Sequence, residues 1–221
     1  MKTYLFPRQF LIVLTVIALS LQLLQCQSSR FLVKQNIPQT WQEHQQRMLA
    51  FEQWQLAGKI GITFPYEGKR KGVTARFDWE QRQSDYVMVL SGPMGVGRFT
   101  LEKTGKITEI TNPRGEQFRA RSPEELFYQH TGMHLPITDL AWWIRGIPVP
   151  DKMHQKTFHT ENYRNQLASL EQSSWKIEYL DYQQVGSNFL PQKIKLSDCS
   201  MNVTLVINDW LIQRIVSRDD S

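Results

Sequence analysis

Cysteine is nearly absent. Cys26 and Cys199 are the chain's two, with no Cys-x-x-Cys pair and no spacing fit for zinc. Other chemistry is missing as well. No G-x-S-x-G elbow occurs, which disfavours a lipid hydrolase built on that motif. Gly92, Gly95 and Gly97 make a Gly-rich turn, but no Lys-Ser/Thr follows and no helix opens there, so it is no phosphate loop. His130 and His134 stand four apart, yet Gly132 between them ends any helix that would present both. His154 and His159 lack a third ligand. The chain therefore reads as a non-enzyme with no metal, no cofactor and no catalytic residue.

Dense charge of one sign is also lacking. The whole chain is formally +5; setting aside Lys2 and Arg8 leaves 24 basic against 21 acidic residues, or +3. Lys69-Arg70-Lys71, in a Gly-flanked turn, is the densest basic run, and no aromatic residues interleave it, so no nucleic-acid partner is expected. A weakly basic surface suits anionic lipid head groups or acidic proteins, and a solvated loop accounts for the triplet equally well.

A long apolar run is missing too. Residues 10–24 form an apolar stretch of about 15 residues, short of the ~20 a spanning helix needs. Preceded by Lys2 and Arg8 and followed by Gln27-Ser-Ser-Arg30, it reads as a secretory signal over residues 1–25. Leu23-Leu24-Gln25-Cys26 resembles the lipobox of bacterial lipoprotein signals, with Gln25 where a small residue is usual. Cys26 is then the acylated first residue of the mature chain. The alternative is an anchored or secreted protein in which Cys26 is incidental. Residues 26–39 are polar and aperiodic, a tether, and residues 40–221 suffice for one domain with its own core. With Cys26 acylated, Cys199 has no intramolecular partner and reads as a packed or half-exposed turn thiol.

Thr40-Trp-Gln-Glu43 is a capping box, and Trp41, His44, Met48, Phe51 and Trp54 recur at helical spacing, predicting a helix to about Gln55. From Leu56 the period becomes two. Val73, Ala75, Phe77 and Trp79 share one strand face, and alternation returns at Tyr86, Met88 and Leu90, at Phe99 and Leu101, and over residues 106–111 and 117–121. The C-terminal third adds Trp175, Ile177 and Tyr179, then Ile194 and Leu196, then Val203, Leu205 and Ile207. Ser122-Pro-Glu-Glu125 is a second capping box, and residues 137–146 carry a helical stripe in Leu140, Trp143 and Ile144. These patterns predict a mainly β (α+β) fold, a strongly curved antiparallel sheet of on the order of ten strands with short helices over an unclosed mouth. Seven Trp, eleven Phe, seven Tyr and seven Met fit either a packed core or an apolar cavity for a lipid.

Trp41-Gln-Glu-His44, Leu56-Ala-Gly-Lys59, Phe77-Asp-Trp-Glu-Gln81, Leu90-Ser-Gly-Pro-Met-Gly95, Thr131-Gly-Met-His-Leu-Pro136, Leu140-Ala-Trp-Trp-Ile-Arg-Gly-Ile-Pro148 and Ser174-Trp-Lys-Ile-Glu-Tyr179 span nearly the whole chain after the signal. In that order they resemble the LolB family of outer-membrane lipoproteins. The resemblance implies an unclosed β-barrel with an apolar cavity, lipid-anchored to the outer membrane and facing the periplasm. It implies a monomeric receptor that takes acylated lipoproteins from the chaperone LolA and inserts them among outer-membrane phospholipids without nucleotide hydrolysis. Gln27, being no aspartate, is consistent with that location. The family's protruding loop with an apolar tip corresponds to Gly92, Pro93, Met94 and Gly95, where leucine is the commoner tip residue. Phe77, Trp79, Tyr86 and Met88, with Leu140, Trp143 and Ile144 above them, are the expected acyl-cavity residues. The alternative is a lipid-anchored envelope-assembly or structural lipoprotein with a filled β core.

Overall fold

The computed structural model describes residues 40–95, 97–158 and 166–212. The expected signal, Cys26, the tether, His159 and residues 213–221 lie outside the described residues. Alternating side chains become strands β1 (Gln53–Tyr66), β2 (Lys69–Arg82), β3 (Asp85–Ser91), β4 (Phe99–Thr104), β5 (Ile107–Thr111) and β6 (Gln117–Ala120). The second half supplies β7 (His154–Phe158), β8 (Leu167–Gln172), β9 (Trp175–Val185), β10 (Asn188–Ser197) and β11 (Asn202–Ile212). All are antiparallel in one sheet of order β6-β5-β4-β3-β2-β1-β11-β10-β9-β8-β7. Two meanders meet where β1 pairs with β11, and β6 and β7 remain as separate edges of an unclosed, curved sheet.

Three helices among the described residues accompany the sheet: α1 (Trp41–Leu49), α2 (Pro123–Thr131) and α3 (Ile137–Trp143). Both predicted caps form. The Glu43 amide donates to Thr40 Oγ1 at 3.2 Å, and the Glu125 amide donates to Ser122 Oγ at 3.1 Å. Gly132 closes α2 in the left-handed conformation, φ 73°, so His130 and His134 do not share a helix face. Helix α2 packs on β4, β5 and β6, and its Glu124 accepts from the Thr138 amide of α3 at 2.8 Å. At the opposite edge Trp41 of α1 meets Phe158 of β7, ring centroids 5.3 Å apart.

Two expectations change. Helix α1 ends at Leu49 rather than near Gln55, and Trp54 instead enters β1 opposite Gln81 and Ile212. The helical spacing of Phe51 and Trp54 continues through the turn without continuing the helix. Strands β7 and β8 add a hairpin that the alternation did not predict, because all of β7 is exposed and β8 buries its residues irregularly. Cys199 stands exposed in the turn after β10, where Asp198 accepts from the Ser200 and Met201 amides.

Candidate functional site

Pairing of β2 with β3 stops at Arg76 and Ser91, and the chain then leaves the sheet through Gly92. Residues Pro93–Gly95 make a single 3₁₀ turn closed by the Gly95 amide on the Gly92 carbonyl at 3.0 Å. Met94 at its apex adopts φ 55° and ψ 23°, and its side chain is 99% exposed. The left-handed region is costly for a residue with a Cβ, and exposure of a whole Met forgoes its burial energy. Both costs fall on one residue. Pro93 and Gly95 are exposed beside it and Gly92 is half-buried, so the turn predicted from the sequence presents its apolar tip to solvent.

The inner face of the sheet is mainly apolar, with Gln81 of β2 accepting from Trp79 Nε1 at 3.0 Å. Phe77 and Trp79 of β2 and Tyr86 and Met88 of β3 lie there, with Leu140, Trp143 and Ile144 at α3; all seven are buried, none more than 6% exposed. They belong to one continuous buried cluster. Ring contacts and hydrogen bonds nevertheless sort them into two groups. Phe77 meets Trp79 edge-on at 5.9 Å, Trp79 stands 5.5 Å from both Tyr86 and Trp54, and Met88 faces Trp79 across the strands. Helix α3 instead bonds the other half: Trp143 Nε1 donates to Gln172 of β8 at 3.0 Å, and the Tyr179 hydroxyl of β9 donates to the Trp143 carbonyl at 3.0 Å. Burial pushes the Tyr86 and Tyr179 phenols well above their ordinary range, so both stay neutral.

Polar residues also lie inside this core; the sequence pattern places His44 in the α1 stripe but does not single out Gln172 or Arg145. Gln172 accepts from Trp143 and from the Val149 amide and donates to the Val149 and Lys152 carbonyls, fixing the segment after α3 to β8. Arg145 is buried and donates to the carbonyls of Ala141, Met48 and Phe51. Burial lowers its guanidinium to about 10, which still leaves it charged at neutral pH. His44 is fully buried on α1. Burial, with the Arg47 charge added, brings its imidazole down to about 4, so it is neutral. The Gln172 bonds and the Arg145 bonds to Met48 and Phe51 join residues distant in sequence, and local pattern carries no sign of them.

The surroundings are thus an apolar, helix-covered sheet interior and one projecting apolar turn. A family model described as "Outer membrane lipoprotein LolB" matches residues 52–210. "Outer-membrane lipoprotein LolB" of Pseudomonas syringae pv. syringae is 39% identical over 175 residues, covering 78% of this chain and 81% of its own. The protein of the same name from Ectopseudomonas mendocina is 38% identical over 202 residues, covering 90% and 95%. Among solved structures, a LolA superfamily protein from Nitrosomonas europaea superimposes with a TM-score of 0.52 at 10% identity, over 80% of this chain and 94% of that one. A putative outer membrane lipoprotein-sorting protein domain from Vibrio parahaemolyticus gives 0.51 at 9% identity, over 81% and 93%. These two likenesses speak for the fold, and the sequence matches for the family. The chain belongs to the LolB family of outer-membrane lipoproteins.

Proposed function

We propose that this protein accepts acylated lipoproteins from the periplasmic chaperone LolA and inserts them into the outer membrane without nucleotide hydrolysis. The observation that carries the reading is the bare Met94 side chain, held on a turn at one end of a sheet whose inner face is mainly apolar. An acyl chain left in water costs about 0.8 kcal/mol per methylene, on the order of 10 kcal/mol for a long chain. Cargo therefore has to pass from one apolar interior to the next, and a modest affinity difference is enough to drive it forward. No bond is made or broken in that transfer, which is why no catalytic group is needed.

In this reading Cys26 carries the acyl anchor, residues 26–39 are the tether, residues 40–221 are the working domain, and the protein acts as a monomer. Phe77, Trp79, Tyr86 and Met88 line the acyl site from the sheet, and Leu140, Trp143 and Ile144 from the covering helix. Gly92, Pro93, Met94 and Gly95 form the turn that enters the bilayer phospholipid. The near-complete burial of all seven core residues favours a second reading, an envelope-assembly or structural lipoprotein filled by its own side chains. Transfer of a labelled lipoprotein from its LolA complex separates the two. The receptor reading expects the label to move to this protein and then into vesicles, and expects Phe77→Glu to block uptake while the variant still melts cooperatively. Label that stays on LolA, with no lipid extractable from the purified protein, supports the second.

A further inference from the structure

The end of the sheet that carries the Met94 turn is also basic on its outer face. Lys59 of β1 and Arg76 of β2 are direct cross-strand partners, both exposed, and neither takes part in an ion pair among the described residues. Like charges placed opposite one another destabilise a strand pair unless something between them is negative. With Thr74, Ser91, Pro93 and Met94 they line an open recess of about 680 Å³, in which Asp209 is the one acid.

The β1–β2 hairpin projects from the same end. Its pairing runs on to Tyr66 and Lys69, whereas β3 has its last β2 partner at Arg76, so residues 69–75 extend past β3 by roughly 20 Å at ~3.3 Å per residue. Lys69, Arg70 and Lys71 are exposed on this ribbon, and Glu67 at the bend is the only acid among residues 64–76. Lys71 Nζ lies 4.7 Å from the ring of Tyr66, which is half exposed, and Arg70 donates to the Thr63 carbonyl. A tyrosine with one apolar and one wet end, flanked by cations, has the composition of an interfacial contact.

We propose that this end of the sheet docks on anionic phospholipid head groups. Lys59 and Arg76 bind lipid phosphate in the recess beside Met94, and Lys69, Arg70 and Lys71 extend the basic contact along the ribbon. The proposal rests on the reading that Met94 enters a bilayer, and adds what aims it there. Attraction acts over a Debye length, about 8 Å in physiological salt, so it turns the domain tip-down before any apolar contact forms.

The test uses the chain from residue 26 with Cys26→Ser, so that no acyl anchor contributes, sedimented with phosphatidylcholine vesicles with or without about a third phosphatidylglycerol. We expect at least ~10-fold tighter binding to the anionic vesicles, given roughly fivefold per basic residue before screening, and loss of that difference at ~1 M salt. The variant Lys59→Gln, Arg76→Gln, Lys69→Gln, Arg70→Gln, Lys71→Gln should melt as the parent does, lose the anionic preference and keep its binding to phosphatidylcholine. No preference in the parent, an undiminished preference in the variant, or a loss confined to chaperone binding would overturn the proposal. Met94→Glu reports separately on the underlying reading, because it should weaken binding to both vesicle types. If it weakens neither while the anionic preference persists, the role of Met94 fails and the basic surface stands.

Discussion

Arg145 Nη1 donates to the Met48 carbonyl at 2.8 Å across 97 positions of sequence, and to the Phe51 carbonyl at 3.2 Å. Met48 lies in the last turn of α1, where helix carbonyls lack intrahelical donors and carry partial negative charge. Arg145 follows the end of α3, and its Nε returns to the Ala141 carbonyl at 3.0 Å while Trp142 covers the guanidinium at 4.5 Å. One cation thus ties the end of α3 to the C-terminal end of α1 and satisfies carbonyls left free there.

Arg145→Leu removes the donor and leaves buried carbonyls unsatisfied. We expect a loss of about 2–4 kcal/mol in urea denaturation, with Arg145→Lys intermediate because one ammonium cannot span three acceptors at these positions. A fully stable leucine variant would mean that water replaces the guanidinium and that α1 is held by its apolar face alone.

Acid should loosen the same helix through His44. Its ring nitrogens have no hydrogen-bond partner among the described residues, and its imidazole lies at about 4 in the folded protein against 6.5 ordinarily. Between those values the unfolded chain takes up a proton that the native state refuses. Stability is therefore full above pH 6.5 and falls as pH drops towards 4, by about 2 kcal/mol at pH 5 from this group. Urea midpoints at pH 7 and pH 5 measure it. His44→Leu should shrink the difference by that amount, and an unchanged difference would place the acid sensitivity elsewhere.

The legible parts of this fold were those fixed by near neighbours. Thr40 and Ser122 cap their helices because side chain and amide lie three residues apart, and Phe77, Trp79, Tyr86 and Met88 turn inward because a strand alternates. Phe51 and Trp54 misled for the same reason, since their helical spacing runs on past Leu49, where α1 ends. Strand β7, exposed along its length, has no alternation to read, and Gln172 acquires its four hydrogen bonds only once β8 meets the segment after α3. The Met94 turn lay between these cases. Its glycines announced a reversal, but full exposure of the tip is a matter of what fails to cover it.

Gly58 marks the junction of the two meanders. The β1–β11 register slips between Ala57 and Gly58, and a Cβ at Gly58 would collide with the Val206 carbonyl oxygen and crowd the Ile207 backbone. Gly58→Ala must push the strands apart where the halves join, so we expect a loss of about 2 kcal/mol or more and a melting temperature lower by roughly 5 °C. Gly61→Ala on the same strand meets nothing within 4 Å and should be neutral or slightly stabilising. Equal effects from the two would show that strand propensity, not the close approach, governs both.

Met94 separates stability from delivery. Its left-handed φ of 55° costs about 1–2 kcal/mol that glycine avoids, while glycine adds about 0.5–1 kcal/mol of unfolded-state entropy, so Met94→Gly should match or slightly exceed the parent in thermal stability. Delivery should follow the side chain instead. An apolar tip at the bilayer interface contributes ~1.5–3 kcal/mol, enough to bias contact yet too little to anchor, and Met94→Gly forfeits it. Met94→Leu keeps it and should insert cargo nearly as well as the parent, whereas Met94→Glu should insert least, because its carboxylate resists the interface. All three should accept lipoprotein from LolA, since the turn lies outside the apolar interior. The measurements are a melting curve and the fraction of labelled lipoprotein reaching vesicles. If glutamate loses uptake and insertion together, Met94 guards the entrance; if all three deliver equally, the exposed methionine is only a turn residue.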